Sequence, residues 1–303
     1  RTALREFYEA DYAFIYEFSD DDISFAYRRL GYRNVLCGDV FVHHEGSTIS
    51  AAVPEQRAEN IEKGRALFRC KYNGIDAWSD VVNFEVYLRR ALFEPAEMRE
   101  NASVLGIDVR CGTPIMEIRN TLRENGLREA LLTAYTTDPK YWQDLSCFCE
   151  GGVFCGDIDR LSHKLGDALY DYIIIGEYGD LYEDALAVIR SAASHLRVGG
   201  ALVCKLRNYD LPYELEAVAN ALQTPPVPLA QGMQRLEAEL RNLPYHINIY
   251  PYMEDAYEVR ESFFAQLRTM EEYQNNTHVR EVFSEERFDA LMTQYAVVLR
   301  KRV

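Results

Sequence analysis

Apolar and polar positions follow one another from residue 102 onward in an order that predicts strands separated by helices. Between the apolar runs, hydrophobic residues recur at helical spacing, most clearly over residues 115–122 and 186–196. Repetition of strand, helix and strand predicts a mostly parallel sheet covered by helices. The runs of strand type span residues 104–109, 130–135, 152–155, 170–175, 201–206 and 295–299.

The preceding part of the chain has a different pattern. Residues 1–50 are rich in aromatic and acidic side chains, and they predict a loop, a helix over 23–30 and a strand over 40–42. Residues 55–91 predict helices on either side of a turn at Asn73-Gly74. We therefore expect a helical connector between an N-terminal segment and the alternating region.

Composition limits the classes of function. The length of 303 residues corresponds to about two domains, and 48% hydrophobic with 27% charged residues excludes a disordered or fibrous chain. The net charge of -15 would repel polyphosphate, so no nucleic-acid partner is expected. No apolar run approaches the roughly 18 residues of a transmembrane segment. Seven cysteines without disulfide spacing favour a reducing compartment, so we expect a cytoplasmic protein.

A carboxylate triplet, Asp20-Asp21-Asp22, precedes the first predicted helix, and the pair His43-His44 follows the predicted strand. Each has an ordinary structural explanation when taken alone. Carboxylates favour the positive end of a helix, and paired histidines are usually a surface or packing feature. Only the combination of histidines with nearby carboxylates makes a metal site a hypothesis.

The order of these segments resembles the C-terminal part of a family 2, GT-A type glycosyltransferase, with its E-D-x-D, R-x-x-G-Y-R and V-F-V-H-H segments. Ser19-Asp20-Asp21-Asp22 departs from the first of these only where Glu is usual, while residues 28–33 and 40–44 match the others. The resemblance implies that Asp20 is the base for the acceptor hydroxyl and that Asp22 is also catalytic. It further implies that His43 or His44 helps to hold a divalent metal, Mg or Mn.

The same resemblance implies a nucleotide-sugar and a glycan acceptor as partners of the intact protein. The nucleotide-binding half of that family, with its D-x-D motif, is absent from these 303 residues, so this piece alone is not expected to transfer sugar. Because the sequence starts at Arg1 rather than Met, we expect it to be the C-terminal part of a longer protein.

Residues 104–114 resemble motif I of the class I S-adenosylmethionine-dependent methyltransferases, V-L-D-V-G-C-G-T-G. In that motif glycines let the backbone approach the cofactor. Here only Gly112 remains of the three, since Arg110 and Pro114 stand at the other two positions. The downstream matches to the same family are Gly156-Asp157-Ile158, residues 170–177 and residues 197–203.

This second resemblance implies a Rossmann-like class I methyltransferase fold with an antiparallel last strand. It also implies S-adenosylmethionine as cofactor, with contacts from Asp108, Gly112, Asp157 and Gly176. Thr136 stands where the family usually has the acidic residue that binds the ribose, and Asp138, two positions further along, is the alternative for that role. Cofactor binding is therefore left open.

We expect three segments: a GT-A fragment over 1–50, the connector over 51–99 and the methyltransferase-like domain over 100–303. The predicted function is methyl transfer within a bifunctional glycosyltransferase and methyltransferase of surface polysaccharide or glycoprotein glycan synthesis. The alternatives are an inactive methyltransferase-like binding or scaffold module, and a stand-alone methyltransferase with a decayed N-terminal extension. Two weaker hypotheses are a zinc site at Cys147, Cys149, Cys155 and His163, and a sugar site at Tyr245, Tyr250, Tyr252 and Tyr257.

Overall fold

A seven-stranded sheet forms the centre of the molecule in the computed structural model. The model describes residues 18–35, 37–43, 54–83, 85–93, 98–178, 181–207, 238–251, 264–282, 284 and 294–301. The strands are β1 (Ala102–Ile107), β2 (Ala130–Thr136), β3 (Val153–Cys155), β4 (Tyr170–Tyr178), β5 (Leu196–Arg207), β6 (His246–Pro251) and β7 (Gln294–Arg300).

The strand order across the sheet is β3-β2-β1-β4-β5-β7-β6. Strands β1 to β5 are parallel, whereas β7 runs antiparallel to both β5 and β6, between which it lies. The central strands are continuous apolar runs because helices cover both faces of a parallel sheet. This arrangement confirms the predicted Rossmann-like fold with an antiparallel last strand.

Helices connect the strands. They are α1 (Ser19–Arg29), α2 (Pro54–Lys71), α3 (Val86–Leu92), α4 (Thr113–Glu124), α5 (Trp142–Ser146), α6 (Leu161–Leu165), α7 (Ala185–Ser194), α8 (Glu271–Asn275) and α9 (Thr277–Val282). A π-helical turn covers Ala77–Val81, and residues 238–241 and 264–269 are also helical.

The ends of α4 follow local sequence signals. Gly112 precedes the helix with φ +91, and Pro114 lies in its first turn, where a missing backbone N–H removes no helical hydrogen bond. At the other end, Gly126 has φ +84 and accepts the left-handed conformation that terminates a helix. The proline that replaces a motif glycine is therefore well placed for the helix.

Alternate residues of the strands feed two hydrophobic clusters, one on each face of the sheet. Val104 belongs to one cluster, while Leu105 and Ile107 belong to the other. The first cluster also contains Phe25 of α1 and Phe68 of α2. The described parts of the two predicted N-terminal segments thus share a core with the sheet, and the boundaries at 50 and 99 stay predictions.

Two predictions about elements were wrong, and one strand was missed. Residues 40–42 form no strand, and Phe41 is 88% exposed because no neighbouring strand pairs with this run. The carboxylate triplet lies inside the first turn of α1 rather than before the helix. Strand β6 was not predicted, although Ile247 and Ile249 alternate there with polar residues.

Candidate functional site

The carboxyl ends of β1, β2, β3 and β4 meet at one edge of the sheet, which we call the carboxyl edge. The strand order reverses between β1 and β4, because β2 and β3 lie on one side and β5 on the other. In open α/β sheets ligands bind outside the strand ends at this reversal. The predicted contact residues Asp108, Gly112 and Gly176 lie at the reversal, whereas Asp157 lies beyond β3.

Asp108 follows β1 with a left-handed backbone, φ +47, and its side chain is buried. Its Oδ1 accepts hydrogen bonds from the backbone N–H of Thr137 at 2.6 Å and from Thr137 Oγ1 at 3.0 Å. Its Oδ2 accepts one from Tyr182 Oη at 2.7 Å. Both carboxylate oxygens are therefore bound to side chains or backbone of the protein itself.

The electrostatics of this pair follow from burial. Burial raises the pKa of Asp108, and the three hydrogen bonds that it accepts oppose that rise without cancelling it. Burial, together with the carboxylate of Asp108, also raises the pKa of the Tyr182 phenol, which stays a neutral donor. Asp108 is held as a structural link between the ends of β1, β2 and β4.

At two glycines of the carboxyl edge, Gly112 and Gly176, neighbouring protein atoms occupy the position that a Cβ would take. A Cβ on Gly112 would overlap the ring of Phe148 and lie 3.0 Å from Cδ2 of Leu145. A Cβ on Gly176 would lie 2.8 Å from the carbonyl oxygen of Asp108 and 2.9 Å from Cα of Val109. The missing side chains let α5 and the loop after β1 pack closely.

Arg110 crosses the strand reversal. Its Nε donates to Glu177 Oε1 at 2.5 Å, and its Nη1 donates to the carbonyl oxygen of Ser79. Nη1 also lies 3.9 Å from Oδ1 of Asp80. The side chain that replaces a motif glycine therefore ties β4 to a segment that precedes the sheet.

That segment, residues 76–82, is here called the capping segment. Its Asp80 carbonyl accepts from the Cys111 backbone N–H at 3.2 Å, and its Val81 carbonyl accepts from Thr113 Oγ1 at 2.5 Å. Tyr141, just beyond β2, donates through its hydroxyl to Asp80 Oδ1 at 2.9 Å. The capping segment thus lies on the loop between β1 and α4.

Beyond β2 and β3 the carboxyl edge is less covered. Thr136 is buried and its hydroxyl bonds to the backbone of Asp138. Asp138 accepts from the Lys140 backbone N–H at 3.0 Å. Asp157 is exposed, and its backbone carbonyl accepts hydrogen bonds from Tyr135 Oη at 2.6 Å and from the Arg160 N–H at 2.9 Å.

Among the described residues of the first resemblance, no three His, Cys, Asp or Glu side chains come together as a metal site. Asp22 is buried and accepts from Lys71 Nζ at 2.8 Å and Tyr72 Oη at 2.6 Å, while Asp20 is exposed on the other side of α1. His43 is exposed, and His44 lies outside the described residues. No cluster of three His, Cys, Asp or Glu side chains that could hold a metal exists among the described residues, which include the cysteines of the zinc hypothesis.

Asp20 and Asp21 do line a small cavity of about 220 Å³, together with Arg28 of the same helix and Val81 of the capping segment. Burial raises the pKa of Asp21, and the neighbouring Asp20 adds to the rise. Whether Asp20 and Asp22 act in catalysis stays a prediction.

The site residues that sequence reasoning missed are those that cover the loop: Asp80, Tyr141, Phe148 and Tyr182. The sequence around Asp80 gave some indication, because an acidic residue within an apolar stretch is rarely buried unless another group pairs with it. Phe148 and Tyr182 gave none, since their contacts depend on which strand ends meet.

No protein-family model and no curated protein sequence matches this chain. Among solved structures, it is similar to a SAM-dependent methyltransferase from Archaeoglobus fulgidus, at 20% identity and a TM-score of 0.42, over 78% of this chain and 98% of that one. It is also similar to the plantazolicin methyltransferase BpumL in complex with a triazolic desmethylPZN analogue and SAH, at 14% identity and a TM-score of 0.41, over 84% of this chain and 100% of that one.

The identities are below 25% and the TM-scores below 0.5, so the likeness does not define the fold of this chain. The fold itself is defined by the strand order and by the antiparallel β7. The chain has the Rossmann-like fold that the second resemblance implies, with a mostly parallel sheet and an antiparallel last strand. Within the described ranges, no helix combines the length and the apolar character that a membrane crossing requires.

Three of the residues predicted to contact S-adenosylmethionine, Asp108, Gly112 and Gly176, contact the protein's own atoms at the carboxyl edge. A Cβ on Gly112 would overlap the ring of Phe148, so packing against this ring requires a glycine here. The Arg110 and Glu177 pair lies across the strand reversal, and both oxygens of Asp108 are bonded within the protein. Two of the four predicted contacts carry a carboxylate: that of Asp108 is bonded within the protein, and that of Asp157 is exposed.

Proposed function

We propose that this methyltransferase-like domain is a non-catalytic scaffold that holds the N-terminal part of the chain in a fixed position. The observation that carries the proposal is the capping segment seated on the carboxyl edge, where Rossmann-like proteins bind their ligand. At this edge the protein binds its own capping segment. Arg110, which stands where the motif has a glycine, donates to the Ser79 carbonyl of that segment.

A second attachment supports the scaffold. Arg29 at the end of α1 donates through Nε and Nη2 to the two carboxylate oxygens of Asp144, at 2.8 and 2.9 Å. A bidentate pair of this kind fixes orientation as well as distance. Arg28 lies beside it, with Nη2 3.6 Å from Asp144 Oδ1. Helix α1 is therefore bound to α5. Phe148, two residues after the end of α5, contacts Gly112.

The scaffold proposal extends to context through the first resemblance. If residues 1–50 are the end of a GT-A glycosyltransferase, the scaffold holds that domain, and the nucleotide-sugar, the divalent metal and the glycan acceptor belong to it. Support for this extension is the resemblance of residues 19–44 alone. Surface polysaccharide or glycoprotein glycan synthesis is the setting that we propose for the intact protein.

The cofactor question is tested by calorimetric titration of the full chain with S-adenosylmethionine. We expect no saturable heat up to about 1 mM S-adenosylmethionine. A dissociation constant of about 1 mM corresponds to about 4 kcal/mol of binding free energy, so the titration would detect even a weak site. Hydrogen exchange of the capping segment is expected to be the same with and without the compound. Saturable heat, with slower exchange in residues 76–82, would overturn the non-catalytic part of the proposal.

The attachment of α1 is tested separately with Arg29→Gln. Loss of the bidentate bond is expected to speed hydrogen exchange of residues 19–29 by about tenfold or more, which corresponds to about 1.4 kcal/mol of local opening. Lys63→Gln on α2 is the matched control, because among the described residues Lys63 pairs only with the exposed Glu59. Unchanged exchange of α1 in the Arg29 variant would contradict the scaffold role of Asp144.

A second candidate function is methyl transfer from S-adenosylmethionine. The observation that favours it is the uncovered part of the carboxyl edge, where the exposed Asp157 and the half-buried Asp138 leave two carboxylates near the ends of β2 and β3. The titration above decides between the two candidates, because only this one predicts binding.

A further inference from the structure

A second cavity lies at the opposite end of the sheet from the carboxyl edge. Its volume is about 320 Å³, and it opens beside the amino ends of β1 and β2, against the second half of α4. Three arginines and two glutamates, Arg119, Arg123, Arg128, Glu129 and Glu150, supply the charged part of its wall. We call it the arginine cavity.

Arg119 is the buried member of this group. It is only 8% exposed, and its buried Nε has no hydrogen-bond partner among the described residues. Its Nη1 lies 3.7 Å from Glu150 Oε1, which is longer than a hydrogen bond, and its guanidinium carbon lies 5.9 Å from the ring centre of Phe148. Because Nε is closed off from solvent, it adds a cost of burial rather than a donor for a bound molecule.

The other two arginines add positive charge to a wall that also contains Glu129 and Glu150. Arg123 and Arg128 are exposed, and neither is paired with a carboxylate of the described residues. Burial lowers the pKa of Arg119, and the charges of Arg123 and Arg33 lower it further, against the opposing effect of Glu150. In a chain of net charge -15, three arginines against two glutamates leave the cavity wall with one excess positive charge, which an anion would relieve.

We propose that the arginine cavity binds a small phosphate monoester that carries hydroxyl groups. Three guanidinium groups present more N–H donors than the two oxygens of a carboxylate can accept, whereas a phosphate accepts from several arginines at once. The glutamates in the wall, Glu129 and Glu150, accept hydrogen bonds from hydroxyls of the organic part. A volume of about 320 Å³ matches the lower end of the range for small-molecule sites.

The site is independent of the proposed scaffold. It uses no residue of the capping segment and lies at the amino ends of the strands, so it does not depend on whether the carboxyl edge binds a cofactor. A ligand here would be held by α4 and the loops before β2 and β3, which are parts of the sheet domain itself.

The test is calorimetric titration of the full chain at constant ionic strength, with sodium phosphate and with glycerol 3-phosphate as probes. Sodium acetate and glycerol are the matched probes that lack the phosphate. We expect saturable binding of both phosphates, tighter for glycerol 3-phosphate, and none for acetate or glycerol. Absence of saturable phosphate binding, or equal binding of acetate, overturns the proposal.

Variants assign the binding to this cavity. Arg123→Gln and Arg128→Gln, both at exposed positions, are each expected to weaken glycerol 3-phosphate binding by about tenfold, the effect of one lost charge-assisted hydrogen bond. Arg119→Met is expected to abolish binding, with its thermal unfolding measured as a check on folding. Arg190→Gln, an exposed arginine on α7, is the control. An equal loss in that control, or no loss in the first two variants, would refute the assignment.

Discussion

Arg29 and Asp144 are 115 positions apart in the sequence and form a bidentate ion pair, with Asp144 wholly buried beneath α1. Burial alone would lower the pKa of the Arg29 guanidinium, but its hydrogen bonds to Asp144 raise it overall. The pair therefore joins two distant parts of the chain through a contact that is protected from solvent.

Asp144→Asn should destabilise the protein strongly. It leaves the charge of Arg29 without its counter-charge in a largely buried position, and we expect a loss of about 3 kcal/mol in the free energy of unfolding. Urea unfolding at pH 7 measures the loss. Glu59→Gln, which removes only an exposed pair on α2, should leave the unfolding midpoint unchanged. Similar midpoints for the two variants would show that the buried pair adds no stability.

Gly112→Ala should be far more costly than Gly31→Ala. Both glycines have positive φ, +91 and +84, so both substitutions add about 1 kcal/mol of backbone strain. At Gly31 the new methyl group has free space, whereas at Gly112 it overlaps Phe148, and we expect about 2 kcal/mol more there. Thermal unfolding of both variants measures the difference. Addition of Phe148→Leu to the Gly112 variant should recover part of the loss, and no recovery would mean that Phe148 is not the obstacle.

Asp108→Asn should make the protein more stable at neutral pH. The pKa of Asp108 is raised in the folded state, so its contribution to stability is full at low pH and is lost as the pH rises through the folded pKa. The amide is uncharged and can still accept from Thr137. We therefore expect the variant to exceed the wild type at pH 8 and to lose that advantage toward pH 4, measured by urea unfolding at each pH. An advantage that does not change with pH would contradict this account.

Asp76 should stabilise the protein at higher pH, whereas the contribution of Asp108 is full at low pH. Although burial would raise its pKa, hydrogen bonds from Arg65, Arg69 and the N–H groups at the start of the π-helical turn hold the pKa of Asp76 well below its usual value. Its stabilisation is therefore present above about pH 4, the unfolded value, and is lost below it.

Asp76→Asn is expected to cost about 2 kcal/mol at pH 7, the usual worth of hydrogen bonds to a charged group. The difference from the wild type should shrink as the pH falls below about 4. Acid titration of the unfolding free energy measures it, and a difference that persists undiminished at pH 2 would refute the role of the charge.

Much of the fold was predictable because its signals are local. The continuous apolar runs at β1 and β4 and the amphipathic α7 follow from burial on both faces of a parallel sheet. The run at residues 40–42 has the same apolar character, yet it forms no strand, since an apolar run requires a partner strand that no local pattern specifies. Strand β6 is the reverse case: its apolar and polar residues alternate as in a strand, but no strand was predicted there.

The candidate site was predictable only in position. The sequence order places Asp108 and Gly112 at the end of β1, but it does not reveal that Phe148 fills the space beside Gly112 or that the charge of Arg110 is taken by Glu177. These contacts depend on side chains brought together by the strand order. For the same reason the three arginines of the second cavity, which lie within ten positions of one another, gave no signal until Arg119 was placed in a buried position.

The place of β7 has a consequence for synthesis of the chain. β7 lies between β5 and β6, although it follows both in the sequence. Until residues 294–300 have left the ribosome, β5 keeps an open edge and β6 lacks its only partner among the described strands. A nascent chain that pauses before residue 294 exposes unpaired backbone of the kind that binds chaperones or other strands, so completion of the sheet depends on prompt delivery of this one segment.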